Sequence, residues 1–265
     1  MSGEKLVLIT PVLGRLDSFE KFLDRFLQIR AKMKIEIELV VALFSSDTVL
    51  ERLITAIERV EKDQGDPHVV RFVVVDGAFS RGRGIAQAID AVHGNALLFF
   101  VDIDMILSQE TLESGITLTV PGQVYFPIFF SIFAQKCRAQ QSVSETNGFW
   151  RIYSTGMVFI FKHDYLKTDG FDLTINSWGQ EDLRFTEAVI SAKLKVIRVK
   201  DQNLIHPWHP KNCKNLVNKF FQECVPVKMA HYCSYGMLYE EWKYQQSPLF
   251  EEAKLKKKHS KIAFQ

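Results

Sequence analysis

Two aspartates close a strongly apolar stretch of the sequence. Residues 96–101 (ALLFFV) are all apolar, and Asp102 and Asp104 follow directly. In an extended chain residues i and i+2 face the same side, so both carboxylates would point into one space. Without a cation they would repel, and one would tend to take up a proton, whereas Mn²⁺ or Mg²⁺ removes that conflict. The pair indicates a metal site. A polar strand end and the strand-end aspartates of phosphatases and response regulators are the alternatives.

Residues 76–84 (DGAFSRGRG) combine charge and glycine at the start of a predicted helix. Two glycines flanked by Arg81 and Arg83 would bring backbone N–H groups and cations to a diphosphate. Gln87 stands where the dinucleotide fingerprint has its third glycine, which disfavours a Rossmann dehydrogenase. A turn with exposed arginines is the alternative interpretation.

A later segment, residues 177–182 (SWGQED), combines an aromatic residue with two acids. Glu181 and Asp182 begin an apparent helix, where the helix dipole alone favours acidic residues. In a cleft, however, such a carboxylate can accept the proton of a sugar hydroxyl as that hydroxyl attacks. Trp178 would offer a sugar ring a surface for stacking.

Two histidines, His206 and His209, follow a predicted strand near the end of the chain. Imidazole nitrogens at this spacing could ligate the cation held by Asp104. A structural role for either histidine is the alternative.

Strands and helices alternate over the first hundred residues, which predicts a parallel sheet with helices on its faces. The predicted strands cover 5–10, 35–44, 69–77 and 95–107, and the helices between them cover 16–27, the segment after a Ser46–Asp47 cap, and 80–92. Ligands of such sheets bind beyond the carboxyl ends of the strands. Asp76, Asp102, Asp104 and residues 11–15 are predicted to meet at that edge.

The second half is less regular, with a predicted strand at 122–130 interrupted by Pro127, a helix at 181–191 and a strand at 195–199. Because no Gly/Ser-rich linker or repeat intervenes, we expect one domain over residues 1–250. Its nucleotide-binding half is residues 1–107 and its acceptor half residues 108–250. Residues 251–265 form a lysine-rich tail, either simply solvated or able to attract an acidic polymer.

Composition narrows the function classes. The 265 residues are 47% hydrophobic with a formal net charge of +2, so a large core is expected and no general electrostatic case for nucleic acid exists. The four cysteines form no CxxC pair; Cys213 and Cys224 could be bonded or reduced. No signal-peptide core or membrane-spanning apolar run is visible, so the chain is expected to be soluble as given.

Taken in order, these segments resemble one family, the chondroitin-synthesising glycosyltransferases. This family includes chondroitin N-acetylgalactosaminyltransferase and the C-terminal domain of chondroitin synthase, and is related to β1,4-galactosyltransferase. The resemblance spans roughly Leu8 to Trp242 and follows the family's motif order. The matching segments are FSRGRG (79–84), LLFFVDIDMIL (97–107), VYFPIFFS (124–131), TNGFWR (146–151), GFDLTINSWGQED (170–182) and HPWHPKNC (206–213).

The resemblance implies a GT-A type fold, that is, a Rossmann-like α/β fold with a mostly parallel sheet and helices on both faces. It implies inverting transfer of GalNAc from UDP-GalNAc to a chondroitin-type acceptor ending in glucuronic acid, with Mn²⁺ or another divalent cation. Asp182 would be the catalytic base. The implied metal ligands are Asp104, His209 and His206; the implied UDP-sugar residues are Pro11, Arg15, Asp76, Arg81, Arg83 and Asp102; and the implied acceptor residues are Trp178 and Glu181.

Two alternatives to this enzyme remain open at this point. One is a poorly active accessory module, like chondroitin polymerizing factor, that assists another chondroitin-synthesising subunit. The other is a β1,4-galactosyltransferase that uses UDP-Gal. Family members are membrane-anchored in the Golgi lumen when full length, so the chain is expected to be a catalytic-domain fragment or an unusual member.

Overall fold

The computed structural model describes residues 5–45, 48–66, 68–134, 147–175, 179–210, 224 and 227–232. The strands are β1 (Leu6–Val12), β2 (Ile37–Phe44), β3 (Val70–Val75), β4 (Leu97–Phe100), β5 (Gln123–Tyr125), β6 (Ile128–Ile132), β7 (Gly148–Trp150), β8 (Val158–Phe161), β9 (Lys195–Ile197) and β10 (Lys200–His206). The helices are α1 (Leu16–Arg30), α2 (Leu50–Gln64), α3 (Arg81–Asp90), α4 (Gln109–Leu118), α5 (Lys162–Tyr165) and α6 (Glu181–Ser191).

The larger sheet has the strand order β3-β2-β1-β4-β8-β5-β9. The first four of these strands are parallel to one another, as the alternation of strands and helices predicts. Strand β8 runs antiparallel to both β4 and β5, so the sheet is mostly rather than wholly parallel. Every residue of β1 and β2 is buried, because helices cover both faces of the sheet.

The two faces of the sheet bury separate apolar clusters, because successive strand residues point to opposite sides. On one face Leu8 packs with Phe22 of α1. On the other face Ile9 packs with Ile85 of α3 and Phe185 of α6. The prediction of helices on both faces is therefore confirmed, and α3 and α6 pack on the same face of the sheet.

Proline divides the predicted strand at 122–130 into two strands that belong to different sheets. Strand β5 lies in the larger sheet, whereas β6 lies in a three-stranded sheet of order β10-β6-β7. Pro127 has no N–H to donate to a ladder, so the chain changes sheets at this point. Trp150 and His206, the last residues of β7 and β10 in the smaller sheet, both line the cleft described below.

The predicted strand at 95–107 is wrong in its second half. Strand β4 ends at Phe100, and the N–H of Met105 donates to the carbonyl of Asp102 at 3.1 Å, which closes a turn. Asp102 and Asp104 therefore follow the strand rather than extend it. Beyond the turn, Ile106 pairs with Ile205 in an isolated antiparallel bridge. That bridge ties the segment carrying Asp104 to the one carrying His206.

Other boundaries shift by a few residues. Ser46 and Asp47, the predicted cap of α2, lie outside the described residues; α2 begins at Leu50 with Val49 at its N-cap position. Ser80 caps α3 through its hydroxyl, which accepts from the N–H of Arg83. A search of the described residues finds no helix with the length and hydropathy needed to cross a membrane.

Candidate active site

A cleft of about 960 Å³ opens at the carboxyl edge of the larger sheet, between it and the smaller sheet. Pro11 and Arg15 reach it from the end of β1, and Asp102 and Asp104 from the turn after β4. Its other polar lining residues include Arg81, Arg151, Glu181, Asp182, His206, His209 and His231. The predicted convergence at this edge is thus observed for these segments, although Asp76 does not line the cleft.

Asp104 lies at the centre of a group of potential metal ligands. Its Oδ2 is 3.1 Å from Nε2 of His209 and 4.0 Å from Nε2 of His206. One ligand atom from each of these three residues lies within 4.8 Å of the others, which suits a shared ion. One carboxylate with two imidazoles is a donor set that divalent transition metals accept.

The electrostatics of Asp104 favour a bound cation. Burial alone would raise the pKa of Asp104, but His209, His206 and Arg15 outweigh burial and hold that pKa well below its usual range. The carboxylate is therefore ionised at neutral pH. Its Oδ1 is buried, and the described residues supply no hydrogen-bond partner for it. A buried oxygen of this kind needs compensation, which a coordinated cation would provide.

Arg15 reaches Asp104 because the chain bends sharply after β1. Gly14 and Arg15 both adopt left-handed backbone conformations, with φ of 61° and 56°. For an arginine this conformation costs ~1–2 kcal/mol, a strain that is typical of functional sites. The bend places Arg15 at the N-cap position of α1, where its Nη1 lies 3.0 Å from Oδ2 of Asp104.

Arg81 and Asp102 form a second ion pair in the cleft. The Nε of Arg81 donates to Oδ1 of Asp102 at 2.8 Å, and its Nη2 donates to the carbonyl of Gly156 at 2.5 Å. Burial raises the pKa of Asp102, and the neighbouring charges of Asp104 and Asp182 add to that rise, whereas Arg81 lowers it. Of the two aspartates, Asp102 is thus the one whose pKa is raised.

Two residues predicted to contact the nucleotide point elsewhere. Arg83 donates to the carbonyl of Ala78, and its guanidinium lies 5.8 Å from the centre of the Phe44 ring. Asp76 accepts a hydrogen bond from the hydroxyl of Ser45 at 3.0 Å, at the end of β3. Neither Arg83 nor Asp76 is among the residues that line the cleft.

Helix α6 begins in the cleft wall with the two predicted acids. Gly179 and Gln180 have positive φ of 105° and 70°, and this turn aims the first residues of α6 at the cleft. The Oδ1 of Asp182 accepts from the N–H of Leu183 at 2.9 Å. Its Oδ2 faces Gly156, where an added Cβ would lie 3.8 Å away. Glycine at position 156 thus keeps the space beside this carboxylate open.

Glu181, the neighbour of Asp182, is a buried acid. Burial raises the pKa of Glu181. The negative charges of Asp182 and Asp102 raise this pKa further, whereas the positive charge of Arg81 lowers it. The Oε2 of Glu181 is buried with no hydrogen-bond partner among the described residues. Trp178, the predicted stacking residue, lies outside them.

Sequence reasoning missed Arg151 and His231 as cleft residues. Arg151 follows β7, and its Nη1 is 3.3 Å from Nε2 of His231. The His231 ring, 3% exposed, stacks on His206 with centroids 5.4 Å apart. Arg151 belongs to the quoted TNGFWR segment, but no spacing rule links it to the acids of α6. Cys224 is disulfide-bonded, whereas Cys213, for which a bond to Cys224 is one of two open possibilities, lies outside the described residues.

Comparison with known proteins points to the same family that the sequence motifs resemble. The family model described as chondroitin N-acetylgalactosaminyltransferase matches residues 2–238. Chondroitin sulfate synthase 3 of Mus musculus is 32% identical over 90% of this chain and 28% of its own length. Chondroitin sulfate N-acetylgalactosaminyltransferase 1 of Homo sapiens is 27% identical over 90% of this chain and 47% of its own length. The chain thus spans less than half the length of these curated relatives.

Solved structures agree on the fold. S. aureus TarS (1–349) in complex with UDP-GlcNAc has a TM-score of 0.57 at 17% identity, covering 86% of this chain and 66% of that one. A mutant of Drosophila β1,4-galactosyltransferase 7, in complex with manganese, UDP-Gal and xylobiose, has a TM-score of 0.52 at 12% identity, covering 88% and 81%. The predicted GT-A type fold is confirmed.

Proposed function

The chain belongs to the chondroitin N-acetylgalactosaminyltransferase family, and on that premise we propose that it is a metal-dependent, inverting glycosyltransferase of chondroitin sulfate biosynthesis. The proposed donor is UDP-GalNAc, and the proposed acceptor is a glycan ending in glucuronic acid. The observation that carries the proposal is the convergence of Asp104, His206 and His209 in the cleft that also holds Asp182.

Asp104, His209 and His206 are the residues that would hold the cation, which we take to be Mn²⁺. When bound, the cation would neutralise the diphosphate of the donor and of the departing UDP. Support comes from the low pKa of Asp104 and from its buried Oδ1 without a hydrogen-bond partner in the described part of the chain. Arg15, 3.0 Å from Oδ2 of Asp104, lies where a second positive charge would meet the same diphosphate.

Asp182 is the proposed general base. Its Oδ1 is occupied by the N–H of Leu183, whereas Oδ2 faces the space beside Gly156. An acceptor hydroxyl in that space would donate its proton to Oδ2 while its oxygen attacks C1 of the donor sugar. Attack from the side opposite the leaving UDP breaks the C1–O bond and inverts the configuration at C1.

The remaining cleft residues divide between the two substrates. Pro11 and the Arg81–Asp102 pair would line the donor side, with Asp102 facing the ribose or the donor sugar. Glu181 would contact the acceptor, as would Trp178. Asp76 and Arg83 do not line the cleft, so they would assist the binding of the UDP-sugar from outside it. We propose that the protein works in the Golgi lumen, together with another chondroitin-synthesising subunit.

The proposal is tested by incubating the protein with UDP-GalNAc, Mn²⁺ and a glucuronic-acid-ended oligosaccharide and measuring transfer. Asp182→Asn should lower kcat by roughly 10²- to 10⁴-fold, since positioned acid–base groups contribute about that much. Asp24→Asn, at an exposed position of α1, is the matched control and should behave like the unmodified protein.

Parallel reactions separate the alternatives. Faster turnover with UDP-Gal and a GlcNAc-ended acceptor would indicate a β1,4-galactosyltransferase instead. The accessory role would be indicated by two results together. The protein transfers no sugar from either donor, and Asp182→Asn affects a co-incubated chondroitin polymerase in the same way as the unmodified protein does.

A further inference from the structure

Three arginines line the cleft, and their charges are compensated to different extents. Arg15 pairs with Asp104 and Arg81 pairs with Asp102, each within 3.0 Å. Arg151 has no ion pair within the part of the chain that the structure describes; its Nη1 instead contacts Nε2 of His231 at 3.3 Å. A guanidinium only donates, so Nε2 accepts and this contact brings no negative charge.

The position of Arg151 is unfavourable for a cation without a counter-ion, because the side chain is partly buried. Burial lowers the pKa of Arg151, which means that the charged form loses hydration in the cleft, and Asp182 is the carboxylate whose charge partly offsets this loss. The guanidinium also lies 5.8 Å from the centre of the Phe149 ring. A half-buried cation in a substrate cleft is best compensated by an anionic group of the substrate.

The surrounding backbone holds Arg151 in place. The Nη2 of Arg198 donates to the carbonyls of Ile152 at 2.9 Å and Ser154 at 2.7 Å, directly after Arg151 in the chain. The N–H of Arg151 itself donates to the carbonyl of Phe129 in the smaller sheet at 2.9 Å. The backbone that carries the guanidinium is thus held on both sides, and a cation on a fixed backbone is suited to select a ligand by charge and geometry.

Arg151 lies on the acceptor side of the cleft. Asp182, the proposed base, is its acidic neighbour, whereas Asp102 and Asp104 are paired with the other two arginines. Tyr153, two residues further on, is 92% exposed at the rim of the same cleft. A glycan whose terminal hydroxyl reaches Asp182 would therefore pass Arg151 and leave the cleft beside an aromatic ring.

We propose that Arg151 binds the carboxylate of the acid sugar that ends the acceptor, and thereby selects acidic over neutral acceptors. This inference rests on the proposed function for the identity of the acceptor. The guanidinium can donate two parallel hydrogen bonds to a carboxylate. A neutral acceptor of the same shape would leave the cation buried and unpaired, and a site built for a polar group rejects such an analogue strongly.

The experiment compares a glucuronic-acid-ended chondroitin oligosaccharide with the same oligosaccharide whose terminal carboxylate is methyl-esterified. The unmodified protein should favour the acid by roughly 10- to 100-fold in kcat/KM, the range expected for one charge-assisted hydrogen-bonding pair. Arg151→Gln should abolish this preference by lowering kcat/KM for the acid alone, while the KM for UDP-GalNAc stays unchanged. Arg151→Lys keeps the charge and should retain part of the preference.

Arg184→Gln is the matched control, because Arg184 is exposed on α6 and pairs with Glu187 outside the cleft lining. It should leave the preference intact. Equal use of both acceptors by the unmodified protein would overturn the inference while leaving the proposed function standing. A rise in the KM for UDP-GalNAc in Arg151→Gln would also overturn it, since the anion bound would then be the donor diphosphate.

A binding measurement keeps the inference testable if no transfer occurs. The glucuronic-acid-ended oligosaccharide and its methyl ester are titrated into the protein by isothermal calorimetry in the presence of UDP and Mn²⁺. Tighter binding of the acid that is lost in Arg151→Gln supports the inference even if the catalytic proposal fails. Equal binding of both oligosaccharides overturns it. Thermal unfolding of each variant establishes that the fold is retained.

Discussion

Replacement of Asp104 by asparagine tests the metal site without the need for a substrate. The change keeps the size of the side chain and removes the charge that lies 3.1 Å from His209 and 3.0 Å from Arg15. A ligand that binds only the folded state stabilises it by ~2.7 kcal/mol at 100 times its Kd. Unfolding entropy of ~2.1 cal/mol/K per residue over 265 residues converts that gain to a Tm increase of ~5 °C for the unmodified protein.

In Asp104→Asn the increase in Tm on addition of Mn²⁺ should nearly vanish. Loss of a group that only orients a metal ligand weakens binding by ~10- to 100-fold, so loss of the carboxylate ligand itself should cost at least ~100-fold. The same Mn²⁺ concentration then lies near the new Kd, and the remaining stabilisation of ~0.4 kcal/mol corresponds to a Tm increase below ~1 °C. Each variant is compared with its own metal-free Tm, because the change also removes the partner of Arg15.

The assay is differential scanning fluorimetry over a titration of Mn²⁺, with excess EDTA as the metal-free reference. Asp102→Asn is the matched control, since Asp102 pairs with Arg81 and lies outside the group of three ligands. It should keep the Tm increase. Equal increases for Asp104→Asn and the unmodified protein would refute the assignment of Asp104 as a ligand, and loss of the increase in Asp102→Asn alone would move the ligand to Asp102.

Two further predictions concern stability. Glu181→Gln should raise Tm at pH 7. Burial raises the pKa of Glu181 above the ordinary value of 4.5, so ionisation lowers the stability of the folded state once the pH exceeds that value. Thermal unfolding at pH 4 should show no gain in Tm, and an equal gain at both pH values would contradict this cause. Gly115→Ala should lower the free energy of unfolding by ~1–3 kcal/mol, because its Cβ would overlap the ring of Phe159, which is stacked on Phe99 at 3.8 Å. Urea denaturation measures this loss, and the neighbouring Ser114→Ala on α4 should show none of it.

The nucleotide-binding half could be predicted because its signals are local. Apolar strands alternate with helices of regular spacing, and such an order admits few arrangements other than a parallel sheet with covered faces. Strands β8 and β10 were missed because their pairing partners are remote. The sequence of β10, KDQNLIH, is largely polar, and it forms a strand by pairing with β6 some 70 residues earlier in the chain.

The chemistry of the site could be predicted in part, because several of its residues also have local sequence signals. Asp102, Asp104, Asp182 and the two histidines stand out by type and spacing, and the structure brings them to one cleft. Arg151 could not be found in this way, because what sets it apart is that none of the described acids forms an ion pair with it, as acids do with the other two arginines of the cleft. That property depends on which acids the other arginines already neutralise, and only the assembled cleft specifies this.

Backbone hydrogen bonds hold together the two segments that carry the predicted metal ligands Asp104 and His206. The N–H of Ile106 donates to the carbonyl of Ile205 at 2.7 Å, and the N–H of Ile205 donates back at 2.8 Å. Asp104 lies two residues before one end of this bridge, and His206 follows the other directly. Because the bridge needs no side-chain charge, the ligands are held together before a cation arrives, and removing the charge of Asp104 should alter affinity without dispersing the remaining ligands.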